Sequence, residues 1–345
     1  MVAWYSSRAA RDWVGPEMAT GAEAFHRSLP AYAPTPLVPV PELATGLGVG
    51  QVLVKDESSR LGLPAFKVLG ASWASSKVLE QRPGAMLVTA TDGNHGRAVA
   101  RMASHFGVSS TVFVPAVMLP ETAALIEGEG ATVLWVNGDY DEAVRRAAEF
   151  AEAEPDHRAL VQDTAWDGYE QVPAWIVEGY QTLLAEVDAE LGRAPDLVAI
   201  PVGVGSLAEA VVRHYRRPDM DAGARTSILS VEPDTAACLV TSLSCNRPVT
   251  VQTGATVMAG LNCGTVSSAA WPVLQAGCDA AVAVTDAGAL QAVHDLARLG
   301  VSSGPSGAAT LAGVRAVLGD QQRRAELDLE TDAVVVLLST EGTQR

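Results

Sequence analysis

At 345 residues the chain is long enough for a sizeable buried core, in one large domain or two closely built ones. An apolar fraction of 48% against 19% charged residues excludes a disordered chain, and no apolar run reaches membrane-crossing length. The formal net charge of −16 argues against binding a nucleic-acid backbone or an anionic membrane surface, so no nucleic acid and no membrane is expected as a partner.

The N-terminal run MVAWYSSRAARDW has no apolar stretch followed by a small-residue cleavage site. No secretion signal is therefore expected, and the cytoplasm is the default location. The first forty residues, with Pro30, Pro34, Pro36, Pro39 and Pro41 in and beside them, read as an extended surface arm. From there short β-rich runs alternate with longer helical segments. QVLVKDE leads to a helix over 67–80, MLVTAT to one over 95–106, and TVFVPA and TVLWV to one over 140–153. ALVQD precedes a long helix over 170–191, and LVAIPVG one over 205–216. SILSVEP and AAVAV lead to helices over 286–299 and 306–318, and AVVVLLST closes the series.

Buried strands separated by helices predict an α/β fold with a mostly parallel sheet wound on both faces. Two strand–helix series, around 84–165 and 196–340, predict two lobes with ligands bound in the cleft between them. Cys238, Cys245, Cys263 and Cys278 form no Cys-x-x-Cys pair and stand beside no histidine cluster, so buried thiols and no metal site are expected. Spacing leaves a Cys238–Cys263 bridge open.

Three stretches carry chemistry. AIPVGVGSLAEAV, residues 199–211, runs from a strand through Gly203, Val204, Gly205, Ser206 and Leu207 into a helix. Successive backbone N–H groups at a helix start can cradle a phosphate dianion, and Ser206 adds a hydroxyl. An ordinary tight turn fits the same letters. A dinucleotide fingerprint fails because Ala208 stands at its last glycine, and no Gly-Lys-Ser/Thr follows as in a P-loop. A cofactor bearing one monophosphate fits better.

LVTATDGNHGRAVARMASHFG, residues 87–107, ends a strand in Thr89, Thr91, Asp92, Gly93, Asn94 and His95. Hydroxyls, an amide and backbone donors at a helix start suit a carboxylate-bearing ligand, although Asp92 equally suits a helix cap. RLGLPAFKVLGASWA, residues 60–74, sets Lys67 between Phe66 and an apolar run. Alone, Lys67 reads as a snorkelling lysine at a helix start.

Phe66-Lys67, DGNHG at 92–96 and GVGSLA at 203–208 occur in the order seen in fold-type II pyridoxal-phosphate enzymes, the tryptophan synthase β-like superfamily. The longer runs KDESSRLGLPAFKVLGAS, TATDGNHGRAVA, VQDTAWDGYEQVPAWIVEGY and TVMAGLNCG, with LLSTEGTQ near the end, resemble the diaminopropionate ammonia-lyases. That resemblance implies a two-lobed enzyme with parallel-rich twisted sheets and an active site in the interlobe cleft. It implies a large cofactor-binding domain of residues 1–75 and 185–345, and a small domain of 76–184 bearing the substrate-carboxylate loop.

Under the resemblance, Lys67 binds pyridoxal 5'-phosphate covalently through its amine, which a partly buried setting keeps deprotonated part of the time. Gly203, Val204, Gly205, Ser206 and Leu207 hold the phosphate, and Asn94 bonds the phenolic oxygen of the ring. Ser339 or Thr340 faces the pyridine nitrogen, a neutral partner that favours β-elimination. Thr91, Asp92, Gly93, His95 and Asp163 surround the amino-acid substrate. Asp163 removes the Cα proton of the L-isomer and Asp92 that of the D-isomer. Glu232, in SVEP, is a supporting residue at most. The implied reaction converts D- and L-2,3-diaminopropionate to pyruvate and two molecules of ammonia, in a homodimer. The alternatives are a serine/threonine dehydratase or another β-eliminating or β-replacing enzyme, and a non-catalytic ligand-binding protein.

Overall fold

The computed structural model describes residues 3–19, 21–91, 93–220 and 226–343. The chain divides into two compact units, one of Met1–Thr20, Ala33–Phe66 and Gln181–Arg345, the other of Gly21–Tyr32 and Lys67–Tyr180.

In the first unit the chain contributes β1 (Trp4–Ser6), β2 (Leu37–Pro39), α2 (Pro41–Leu47) and β3 (Gln51–Asp56), while α1 (Ala22–Ser28) belongs to the other unit. After the second unit come β8 (Leu197–Pro201), α8 (Ser206–Tyr215), β9 (Ser227–Pro233), α9 (Cys238–Cys245), α10 (Ala270–Gly277) and β10 (Ala280–Val284). α11 (Asp286–Arg298), α12 (Pro305–Leu318), α13 (Gln321–Glu326) and β11 (Val334–Ser339) complete it. The strands form one sheet in the order β1-β10-β9-β8-β11-β3-β2. Its interior pairs are parallel, and β1 and β2 close the two edges antiparallel. β8, β9, β10 and β11 are buried along their whole length, which is why they read as unbroken apolar runs without alternation.

The N-terminal arm differs from the expectation. It supplies both edge strands as well as short helices. Three-residue strands are too short to show a period, and β2 tolerates Pro39 because an edge strand can spare an N–H. The short helices α1 (Ala22–Ser28), α2, α9, α10 and α13 escaped for the same reason of length.

The second unit holds α1, α3 (Lys67–Gln81), β4 (Met86–Ala90), α4 (Asn94–Phe106), β5 (Ser110–Pro115), α5 (Pro120–Glu127) and β6 (Thr132–Val136). It continues with α6 (Tyr140–Glu152), β7 (Arg158–Leu160) and α7 (Gln171–Leu191), of which residues to Tyr180 belong to it. Its four parallel strands run in the order β6-β5-β4-β7. α3 and α7 meet at glycines. A Cβ on Gly179 would lie 2.5 Å from the Leu69 carbonyl oxygen, and one on Gly70 2.6 Å from Ile176. Trp73 Nε1 donates to Glu178 across the same contact at 2.9 Å. The N-terminus of α3 is thereby held against a fixed helix.

Just after β3, the first unit buries a cluster of charge. Arg60, Lys55 and Glu57 have no exposed surface and Glu186 is 5% exposed. Arg60 donates to both oxygens of Glu57, at 2.6 and 2.8 Å, and to both oxygens of Glu186, at 2.6 and 2.7 Å. Lys55 Nζ donates to Glu186 at 2.7 Å, and Thr35 Oγ1 donates to Glu57 at 2.6 Å. Burial acts to raise the Glu186 carboxyl, but the Arg60 and Lys55 cations outweigh it and hold it down to about 2. Removing one partner strands a buried charge. Arg60→Met should therefore cost about 3–5 kcal/mol in denaturant unfolding. Arg60→Lys should recover only part, because an ammonium cannot fork to two carboxylates. A midpoint unchanged from wild type in either variant would contradict the role given to this cluster.

Candidate active site

Lys67 opens α3, and its Nζ lies 2.5 Å from Asp163 Oδ2. The lysine side chain is 24% exposed and that of Asp163 only 7%. Lys67 is therefore held against a carboxylate and does not reach into water along its helix. Asp163 follows β7, where the chain leaves the sheet. Burial alone would raise its pKa, but the Lys67 ammonium, with His95 beside it, keeps the carboxyl well below the ordinary carboxylate range. His95 Nδ1 stands 3.9 Å from the same Oδ2.

The segment after Asp163 is built to hold it. Tyr169 Oη accepts from the Gln162 amide at 2.8 Å and donates to the Leu160 carbonyl at 3.0 Å. Tyr169 also stacks on Trp166, with ring centroids 4.5 Å apart. Gln162 has no exposed surface. Its Oε1 accepts from Thr89 Oγ1 and the Ala90 amide, and its Nε2 donates to Tyr140 Oη. These bonds tie the ends of β4 and β7 together, so the carboxylate and the 91–96 loop share one rigid support.

In that loop Thr91 Oγ1 accepts from the Gly93 and Gly96 amides, at 2.9 and 3.0 Å. Asn94 opens α4 and is partly exposed, while His95 is 4% exposed. His95 Nε2 donates to the Val161 carbonyl at 2.8 Å, fixing the ring to the strand end. Asp92 lies outside the described residues.

In the other unit, β8 passes through Gly203, Val204 and Gly205 into Ser206 and Leu207 at the start of α8. Gly205 takes φ 102°, a left-handed conformation that a side chain would strain, and no side chain caps the helix. Backbone N–H groups at a helix start that no side chain caps are the kind of donor set that can hold a phosphate dianion. Ser339 Oγ, at the end of β11, donates to Ser303 Oγ at 2.7 Å, and the Thr340 carbonyl accepts from the Phe66 amide.

A family model described as pyridoxal-phosphate dependent enzyme matches residues 29–340. The chain is 35% identical to the diaminopropionate ammonia-lyase of Salmonella typhimurium, over 92% of this chain and 87% of that protein. It belongs to the diaminopropionate ammonia-lyase family of pyridoxal-phosphate dependent enzymes. The Escherichia coli diaminopropionate ammonia-lyase in complex with D-serine superposes with a TM-score of 0.88 at 30% identity, covering 99% of this chain and 94% of that one. The same enzyme in complex with an aminoacrylate-PLP azomethine reaction intermediate gives a TM-score of 0.85 at 31% identity, over the same shares of the two chains. The fold-type II architecture and the pyridoxal-phosphate cofactor follow.

Within this family frame, the structure brings Lys67, Asp163 and His95 together in one unit, and places Gly203–Leu207, Ser339 and Thr340 in the other. The start of α8, which no side chain caps, fits a phosphate, and at the end of β11 Ser339 Oγ donates to Ser303 Oγ, which in turn donates to the Gly304 carbonyl. Sequence reasoning named neither Ser303 nor the support formed by Gln162, Tyr140, Trp166 and Tyr169. The run VQDTAWDGYE carried Gln162, Trp166 and Tyr169 as a resemblance, without roles, and Tyr140 lies outside it. Among the described residues no disulfide joins the four cysteines, and no group of three or more His, Cys, Asp or Glu is gathered to hold a metal ion.

Glu232 is wholly buried at the end of β9, where its oxygens accept from the Leu239 and Val240 amides at 2.7 and 2.8 Å. Burial dominates over these donors and pushes its pKa up to about 7. A raised carboxyl favours the protonated folded state, so its contribution is complete below its ordinary value of 4.5 and is lost as pH rises through about 7. Glu232→Gln should flatten the fall of melting temperature across that window. An unchanged slope would show that Glu232 is not the group responsible.

Proposed function

We propose that this chain eliminates ammonia from D- and L-2,3-diaminopropionate, and that the released enamine takes up water to give pyruvate and a second ammonia. The observation that carries the reading is the 2.5 Å contact between Lys67 and Asp163, in a chain 35% identical to a diaminopropionate ammonia-lyase. Pyridoxal phosphate, when bound, supplies the electron sink that makes the substrate Cα–H acidic.

Lys67 Nζ is the amine that attaches the cofactor, and the Gly203–Leu207 turn holds its phosphate through backbone N–H groups. Asn94 bonds the phenolic oxygen, and Ser339 or Thr340 meets the ring nitrogen. Thr91 shapes the substrate-carboxylate loop through its bonds to the Gly93 and Gly96 amides. Gly93 and His95 belong to that loop. Asp163 Oδ2 accepts the Cα proton of the L-isomer and Asp92 that of the D-isomer. The β-amine leaves as neutral ammonia because it departs protonated at the start. A cationic β-amine also has reason to meet the carboxylates, which a hydroxy-amino acid lacks.

The proposal places the enzyme in the cytoplasm as a homodimer. Among the described residues no helix is long and apolar enough to cross a membrane. Light scattering after gel filtration tests the dimer.

Purified protein should show a visible absorption band from bound cofactor, and Lys67→Ala should abolish it. Pyruvate release should be highest on the two diaminopropionate isomers. Turnover of serine or threonine without diaminopropionate would move the assignment to a dehydratase. Asp163→Asn should reduce kcat on the L-isomer by about 100-fold or more, the scale of a lost general base. The D-isomer should be spared by comparison, and equal losses would contradict the division between Asp163 and Asp92.

A further inference from the structure

His95 is bound on one side only. Its Nε2 donates to the Val161 carbonyl, so in the neutral ring Nδ1 carries the lone pair. That Nδ1 is buried and, among the described residues, has no hydrogen-bond partner. It faces Asp163 Oδ2 at 3.9 Å. A lone pair and a carboxylate oxygen are both acceptors, so the neutral ring offers Asp163 no donor, whereas a protonated Nδ1 would face it with a positive charge. At present the Lys67 ammonium, 2.5 Å from the same oxygen, is the cation that Asp163 sees.

We propose that His95 is the exchangeable counter-charge of Asp163: when the Lys67 nitrogen ceases to be an ammonium, His95 Nδ1 takes up one proton from solvent and pairs with Asp163 Oδ2. The proton is returned when the ammonium is restored, so a single positive charge faces the buried carboxylate throughout. Burial and the Lys67 ammonium both hold the imidazole pKa below its ordinary value, while Asp163 pulls it up. Losing the ammonium removes one of the two opposing influences. Among the described residues, the Tyr169 and Tyr180 phenols also lie near Asp163, and burial pushes both up and keeps them protonated. They supply no competing charge.

The value of this exchange to catalysis rests on the reading that Lys67 carries the cofactor. His95 then keeps Asp163 ionised, and acts as a positioning residue through it. The charge exchange itself does not depend on the substrate.

Nitrogen NMR of protein labelled in its histidine rings tests it, with the His95 signals assigned by their loss in His95→Gln. At neutral pH the wild-type protein without cofactor should show His95 neutral, with the proton on Nε2. Lys67→Met should show the imidazolium, and Lys67→Met/Asp163→Asn should return it to neutral. A neutral His95 in Lys67→Met would overturn the proposal, whatever substrate the enzyme proves to use. Failure of diaminopropionate turnover with the NMR shift intact would instead sink the functional reading alone.

A second readout separates charge from scaffolding. Glutamine can still donate to the Val161 carbonyl but offers no ring base. His95→Gln should lower kcat on the L-isomer by about tenfold or more and displace the acidic limb of its pH profile. Wild-type kcat and an unmoved profile would show that His95 serves only as a donor to the strand end, and would overturn the proposal.

Discussion

The segment just before Lys67 is anchored by a buried cluster of charge. Arg60 bridges Glu57 and Glu186, and Lys55 shares in neutralising the second carboxylate. Two cations and two carboxylates cancel, and each oxygen has a donor. Such a cluster tolerates no partial occupancy, because an unpaired charge in a dry interior is far more costly than the pair is favourable. It therefore allows one conformation of the chain between β3 and Phe66. The β3–β11 pairing continues the same constraint, since Glu57 donates its amide to the Ser339 carbonyl and Phe66 to that of Thr340.

The second buried charge pair serves chemistry. Lys67 and Asp163 lie in one unit, on the first turn of a helix and beyond the end of a strand. The helix is fixed by its glycine crossing with α7, and the strand end by Tyr169, Gln162 and Thr89. Unlike the Arg60 cluster, this pair is open on the lysine side and leaves His95 Nδ1 unsatisfied. A closed network gives rigidity, and an incomplete one leaves room for a proton to be gained or lost.

Much of this was legible in the letters. Unbroken apolar runs bounded by helical segments marked the parallel sheets, because strands buried on both faces need no polar side. GVGSLA announced an amide-rich helix start, since glycine both permits φ 102° at Gly205 and leaves the backbone uncovered. The edge strands in the N-terminal arm were not legible. Three residues show no period, and their pairing is decided by partners such as Val282 and Val54, remote along the chain. Ser303 was hidden for a similar reason: nothing local distinguishes it from other serines until β11 brings Ser339 beside it.

By itself the sequence determined which residue types were available and roughly where the buried interior strands and the long helices would lie, because periodicity, glycine turns and proline limits act over a few neighbours. Only the tertiary structure decided what Lys67 is. As a residue at a helix start it had the option of reaching into water, and the letters allow that. Folding places the Asp163 carboxylate, 96 residues away in sequence, at 2.5 Å from its nitrogen. Burial makes that encounter strong, and a contact of that range is set by packing two elements together rather than by any local preference.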